Sequence, residues 1–316
     1  FKEYWPLLVA RQHQRHDMDT LRKKTPTDGL IAGTGTINAD LFSEEDSSAM
    51  VVHYDYTVLA GTQGGRGHYK QDRMFELALR FNLPLVLFSE GGGGRPGEDN
   101  LGPWVSFDTH TFTQFSKLSG AVPLIGVNHG RCFAGNTVLL ACCDVIIATK
   151  DSTIGMGGPA MIEGGGLGIY TPEEVGPMSF QVPNGVVDIV VEDEKEAVVI
   201  AKKYLSYFQG AIDSWEAPEQ INLRHVIPEN RLRLYDMRDI ISTIADIGSV
   251  LEIREKFGVG IITAFIRVEG KPMGVLANNP HHLAGAVDSD GADKGARFMK
   301  LCDAFDIPIL SLMDCP

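Results

Sequence analysis

The chemistry that this sequence offers lies in its backbone more than in its side chains. Residues 123–149 read PLIGVNHGRCFAGNTVLLACCDVIIAT. An apolar run at 122–127 suits a buried strand, residues 129–134 form a small-residue turn, and the compact apolar stretch at 137–143 predicts a packed helix. A second buried strand follows at 145–149. A strand that ends in such a turn and feeds a helix aims open N–H groups, with the helix dipole behind them, at whatever lies beyond. An oxyanion hole is built this way. Taken alone, Gly130 and Gly135 serve tight strand-to-helix packing equally well. A second glycine turn, SEGGGGRPGEDN at 89–100, leaves another buried strand at 84–88. Two open-amide loops at the ends of neighbouring strands make a polar cleft in an α/β layered fold.

Side chains that could act sit close to these turns. Gly61, Gly64, Gly65 and Gly67 read as a loose loop ahead of a helix at 72–81, which Pro84 stops. Arg66, His68, Lys70 and Arg73 gather at that junction, either to hold phosphates or as a solvated basic face. His13 and His16 have the i, i+3 spacing of a metal pair and equally that of a solvated helix face. The segment 155–177, GMGGPAMIEGGGLGIYTPEEVGP, has more glycine than a turn needs and predicts a long loop able to act as a lid. Glu163, Glu173 and Glu174 are its acid or base candidates, although the last two also suit a helix start. No Ser/His/Asp or paired-carboxylate pattern accompanies them.

Composition sets the bounds. The 316 residues are 44% hydrophobic and 22% charged, with a formal charge of −13, which fits a globular fold and argues against nucleic acid or an anionic membrane surface as partners. The five cysteines form no CxxC pair, so neither structural zinc, nor any other metal, nor a disulfide framework is expected. No apolar run reaches the roughly 20 residues of a membrane span, and the first residues lack a signal-peptide layout, which together predict a cytoplasmic protein.

The elements that position the turns are read in order. Residues 1–28 form a helical lead-in. Short strands follow at 30–33, 35–38 and 51–56, and a helix at 104–119 carries Phe107, Phe112, Phe115 and Leu118 towards the core. An amphipathic helix spans 192–208, and a proline-containing linker runs from 211 to 238. Beyond it the sequence repeats itself. DRMFELALRFNLPLVLF at 72–88 aligns without gaps to ARFMKLCDAFDIPILSL at 296–312, a constant offset of 224 residues (308 − 84). Residues 33–59 correspond loosely to 262–277, two strands about a turn at Gly270. The expected domains are therefore 29–245 and the start of a second copy at 246–316. Half a domain cannot close its core, so the chain is expected to be a fragment or one piece of an assembly completed by another chain.

In order along the chain, TPTDGLIAGTG, DYTVLAGTQGG, SEGGGGRPGED, GRCFAGNTVLLACCD, GGPAMIEGGG with EEVGP, and NNPHHLAGAVDSDGADKGARFMKLCDAFDIPIL resemble the biotin-dependent carboxyltransferases of acyl-CoA carboxylases. The forms look most like the carboxyltransferase segment of single-chain acyl-CoA carboxylases. The resemblance implies an α/β, crotonase-like (ClpP/crotonase) β-β-α superhelix, tandem duplicated with an incomplete second copy. It implies a reaction that moves CO2 from carboxybiotin to the α-carbon of an acyl-CoA through an enolate held by backbone amides. By position, the family's AGGA turn falls on Phe133, Ala134, Gly135 and Asn136, making the Ala134 and Gly135 amides the oxyanion donors. Gly92, Gly93, Gly94 and Arg95 are then expected to line the acyl-CoA site, with Gly64, Gly65, Arg66, Lys70 and Arg73 beside it. The loop holding Gly157, Gly158, Gly164 and Gly165 is expected to shape the acyl pocket. Biotin arrives on a carrier domain or protein, loaded by a biotin carboxylase, and a homo-oligomer, often a hexamer, shares its active sites between subunits. A biotin-dependent decarboxylase, another crotonase-type enoyl-CoA enzyme and a non-catalytic acyl-CoA-binding subunit are the alternatives.

Overall fold

The structure is a computed structural model that describes residues 1–98, 110–230 and 233–315. It forms two compact units, one of Phe1–Ile37, Ser47–Gln181 and Val190–Ala201, the other of Asn38–Asp46, Val182–Ile189 and Lys202–Pro316. The boundary read from sequence at 245/246 falls inside the second.

The strands are β1 (Lys2–Glu3), β2 (Leu30–Thr36), β3 (Ser48–Tyr54), β4 (Leu85–Phe88), β5 (Leu124–Asn128), β6 (Arg131–Phe133), β7 (Val145–Thr149), β8 (Thr153–Gly155) and β9 (Ile189–Val191), followed by β10 (Leu251–Ile253), β11 (Ile261–Val268), β12 (Lys271–Asn278) and β13 (Ile309–Leu312). The α-helices are α1 (Met18–Lys24), α2 (Glu44–Ser47), α3 (Gly65–Arg80), α4 (His110–Ser116), α5 (Gly135–Ala141), α6 (Pro159–Gly164), α7 (Met178–Gln181), α8 (Glu194–Ser206), α9 (Leu223–Val226), α10 (Met237–Ile244) and α11 (Ser289–Ala304).

One sheet runs in the order β1-β2-β3-β4-β5-β7-β9. An antiparallel β2–β3 hairpin leads into parallel pairings from β3 through β7. Every residue of β5 and β7 is buried, as continuous apolar strands in the middle of a parallel sheet must be. The core joins Met50, Val52, Leu85, Leu87 and Leu124 of the sheet to Phe75 of α3 and Phe115 of α4, whose rings lie 4.8 Å apart.

Several expected boundaries move. The two strands at 30–33 and 35–38 are one, β2, paired along its length with β3. The helical lead-in is short. Lys2–Glu3 instead add an edge strand to β2, and only Met18–Lys24 is α-helical before Thr25. Helix α3 starts seven residues earlier than read, taking in Gly65 and Gly67, because its first turn is capped from outside. Trp104 and Phe107 lie outside the described residues, while Phe112 and Phe115 do pack as a helix face.

The repeat is visible in each unit on its own. Helix α11 matches α3 and β13 matches β4 at an offset of 224 (289 − 65 and 309 − 85). The second sheet, β10-β11-β12-β13, has the order and the pairing sense of β1 to β4. Leu59, Ala60 and Gly61 have positive φ, and so do Leu283, Ala284 and Gly285. Lys70 of α3 has its counterpart in Lys294 of α11 (294 − 70 = 224), and both are buried. They are solvated differently by protein. Lys70 Nζ donates to Leu30 O at 2.6 Å and lies 3.8 Å from Glu3 Oε1. Lys294 Nζ has no hydrogen-bond partner among the described residues, and burial pulls its pKa from 10.5 to about 8.

A lysine with a depressed folded-state pKa opposes folding at every pH below that pKa, and the opposition fades as pH rises towards the unfolded value. Lys294→Met, which keeps the volume, is expected to raise stability at pH 7 by about 1–3 kcal/mol in denaturant melts. The gain should shrink between about pH 8 and 10.5. A loss of stability at pH 7 would sink this account.

Candidate functional site

Three backbone segments meet at the ends of β4 and β5. They are the left-handed turn at 59–61 with Gln63, the glycine loop at 91–95, and the strand–turn–helix from β6 into α5. Gly91 N–H donates to Arg131 O (2.8 Å) and Phe133 N–H to Gly91 O (2.9 Å). On the other side Gly92 N–H donates to Ala60 O (3.0 Å), Gln63 N–H to Gly93 O (2.7 Å) and Arg95 N–H to Gln63 O (2.9 Å). Asn136 ties all three together, accepting from Gly93 N–H (3.0 Å) and donating to Gly61 O (3.3 Å).

The turn itself is unusual. Ala134 has φ 50° and ψ −121°, a region that L residues seldom enter, where a glycine is the expected occupant. Its N–H donates to Gly155 O at 3.1 Å. The next amide, Gly135, opens α5 and makes no hydrogen bond among the described residues. Of the two amides expected at this turn, Gly135 is thus the open one, at a helix N-terminus where developing negative charge is favoured. The glycine loop approaches closely: a Cβ on Gly93 would lie 2.6 Å from Ala134 Cβ, and one on Gly91 2.2 Å from Asn136 Nδ2.

Arg95, expected to line an acyl-CoA site, is buried beneath the loop with all five N–H groups engaged. Nε donates to Thr62 Oγ1 (3.3 Å), Nη2 to Asp28 O (3.0 Å) and Thr62 O (2.8 Å), and Nη1 to Glu98 Oε1 (3.2 Å) and Asp28 Oδ1. The same two carboxylates cap α3, whose N-cap Gly64 has no side chain to do so. Asp28 Oδ2 accepts from Gly67 N–H (2.6 Å) and Glu98 Oε2 from Gly65 N–H (3.2 Å). A Cβ on Gly64 would sit 2.3 Å from Arg95 Nη1, so the guanidinium occupies that room. Burial raises the pKa of Asp28, against the pull of Arg95.

The remaining expected residues divide. Gly94 stands open beside Gln63, and a Cβ on Gly158, at the N-cap of α6, would lie 3.5 Å from the Phe133 ring. Gly157 precedes it, whereas Gly164 and Gly165 lie at the far end of α6. Arg66 turns to His13 Nε2 (2.9 Å), Lys70 is buried against β2, and Arg73 pairs with Glu76 on the exposed side of α3. The structure therefore does not gather the basic residues into one patch. Gln63, Asp28 and Glu98 carry no signal of their own in sequence, and Asn136, placed there at the end of the AGGA turn, shows only as a departure from that pattern. Glu173 and Glu174 form a 3-10 turn with a Thr171–Glu174 capping box, and Arg131 pairs with Glu173.

A hairpin-led parallel sheet whose strand–turn–helix leaves a backbone N–H open is the arrangement of the crotonase-like α/β fold. The carboxyl transferase domain model matches residues 2–316, and the chain belongs to that family. It is 31% identical over 319 residues to the methylmalonyl-CoA carboxyltransferase 12S subunit of Propionibacterium freudenreichii, covering 97% of this chain and 58% of that protein. It is also 31% identical over 317 residues to the propionyl-CoA carboxylase beta chain of Roseobacter denitrificans, covering 96% of this chain and 60% of that one. A solved single-chain, multi-domain long-chain acyl-CoA carboxylase matches with a TM-score of 0.97 and 55% identity, over 100% of this chain and 31% of that one. The chain thus spans about 58–60% of the length of these curated relatives.

Arg95→Lys keeps the charge but offers a point donor in place of a planar fork. It should cost roughly 2–4 kcal/mol of stability, as the loss of a buried, fully engaged partner does. The readout is a lowered denaturant midpoint with an unchanged m-value, and a midpoint equal to wild type would refute the clamp.

Proposed function

We propose that this chain carries the acyl-CoA side of a biotin-dependent carboxyltransferase, with Gly135 N–H as the donor to the substrate thioester oxygen. The observation that carries the reading is the open Gly135 amide, held by three backbone segments at the N-terminus of α5. An enolate places its charge on one oxygen, and a preorganised amide at that position is worth roughly a hundredfold or more in rate. The site needs no side-chain base, because biotin, when bound, supplies the carboxyl group and accepts the α-proton. The work of this chain is to orient the thioester, keep the Gly135 amide free of competing acceptors, and hold the glycine loop against it. Gly92, Gly93 and Gly94 give the pantetheine arm a backbone surface without side chains.

We further infer that long-chain acyl-CoAs belong among the substrates, on the 55% identity to a long-chain acyl-CoA carboxylase. A carrier-borne biotin, a biotin carboxylase, assembly into a hexamer and a cytoplasmic location accompany this reading; a solved 12S relative is described as a hexamer assembly, and no described helix is long and apolar enough to cross a membrane. The domain pair expected from sequence, 29–245 and 246 onward, is proposed with it. The same site serves the reverse transfer, and a methylmalonyl-CoA decarboxylase subunit of Veillonella parvula is 30% identical over 93% of this chain.

The native protein should transfer label from a carboxylated biotin carrier to acyl-CoA, and assays run in both directions separate carboxylase from decarboxylase. Gly135→Pro removes the N–H while suiting the first position of a helix. It should lower kcat about a hundredfold with little change in KM. Gly135→Ala, which adds a Cβ 2.7 Å from Gln63 Oε1 but retains the N–H, is the steric control. Equal loss in both variants would remove the amide from the mechanism.

A further inference from the structure

Beside the turn lies a cavity of about 380 Å³, lined by Gln63, Gly94, His68, Asp72 and Thr111 among others. Gln63 connects it to the turn, since its Oε1 is 2.7 Å from the place a Cβ on Gly135 would take. His68 and Asp72 stand four residues apart on one face of α3, and Thr111 of α4 fits between them. Thr111 Oγ1 donates to Asp72 Oδ1 at 2.6 Å and lies 2.9 Å from His68 Nδ1.

The direction of these bonds fixes the imidazole. The single hydroxyl proton of Thr111 is spent on the Asp72 carboxylate, so Thr111 Oγ1 can only accept from the ring, and Nδ1 must carry the proton. A neutral ring protonated at Nδ1 has its lone pair at Nε2. Nε2 makes no hydrogen bond among the described residues and is not among their buried unpartnered atoms, which leaves it open to the cavity. Burial, and after it the Arg95 guanidinium, draws the His68 pKa down from 6.5 to about 4, so the ring is neutral at pH 7.

We propose that His68 presents Nε2 to the cavity as a fixed hydrogen-bond acceptor for an amide-type N–H of the substrate, with Thr111 and Asp72 as the positioning residues that set its tautomer. The identity of the ligand rests on the carboxyltransferase reading, whereas the tautomer does not. Two substrate groups share the required chemistry, an amide of the pantetheine arm and the ureido N–H of biotin.

The test is long-range 1H–15N correlation of the histidine side chains in the full chain at pH 7, with a His68→Asn spectrum for assignment. His68 should show the Nδ1–H tautomer, with Nε2 unprotonated, and Thr111→Val should release it to a mixture or to Nε2–H. An Nε2–H tautomer in the wild type overturns the proposal whatever the protein's activity. Coenzyme A and free biotin are then titrated separately. A shift of the Nε2 resonance with coenzyme A places the donor on the pantetheine arm, and a shift with biotin places it on the ureido ring. No shift with either overturns the acceptor role even if the tautomer is as stated. His68→Asn keeps a donor for Thr111 but lacks the distal acceptor. It should weaken binding of the ligand that shifts Nε2 by about tenfold while the melting temperature holds.

Discussion

The structure depends on keeping one backbone N–H unpaired at a place where the protein is dense. Gly135 is half-buried, and a turn left to itself would rotate to give its N–H an acceptor. Here rotation is blocked from both sides. Ala134 N–H is fixed on Gly155 O, and Asn136 is bound to Gly93 N–H and Gly61 O, so Gly135 is held between two anchored neighbours. The positive φ of Ala134 is the strain this arrangement stores.

Close approach is the second consequence. The backbone of the glycine loop reaches the turn only because Gly91 and Gly93 lack side chains, and the loop stays there because Arg95 anchors its far end. Two buried carboxylates beside one guanidinium leave an excess negative charge. The N-terminus of α3 offsets it, through the Gly65 and Gly67 N–H groups that Glu98 and Asp28 accept. Helix cap, ion pair and loop anchor are therefore one assembly. Removing the arginine leaves two carboxylates facing each other, and moving the helix leaves them uncapped.

The strand–turn–helix at 124–149 was legible because its information is local: apolar runs of strand length, small residues between them, and a helix-length apolar stretch after. The offset repeat was legible for the same reason, as an alignment of like with like. What escaped is carried by distant partners. Helix α3 was cut short because Gly65 and Gly67 have poor helix propensity, while the carboxylates that cap them come from 39 positions earlier and 33 positions later. The anchoring role of Arg95 is hidden in sequence because its partner Asp28 is 67 residues away. His68 was seen only as a basic residue, although its i+4 partner Asp72 was in view. The missing link was Thr111, which belongs to another helix.

The duplication shows what the frame requires. In the first unit a Cβ on Gly61 would meet Glu90 O at 2.4 Å; in the second, a Cβ on Gly285 would meet Asp314 O at 2.7 Å. The left-handed Leu-Ala-Gly turn therefore presses on the second residue past the parallel strand in both, at the same offset (314 − 90 = 224). Such a contact sets the height at which the chain leaves the strand, whatever it does next. Asn278 repeats part of the Asn136 role, donating to Gly285 O (3.3 Å) and Asp314 O (2.7 Å), but from the strand rather than from a following helix. The bridging amide is thus a property of the frame and can be supplied from either side.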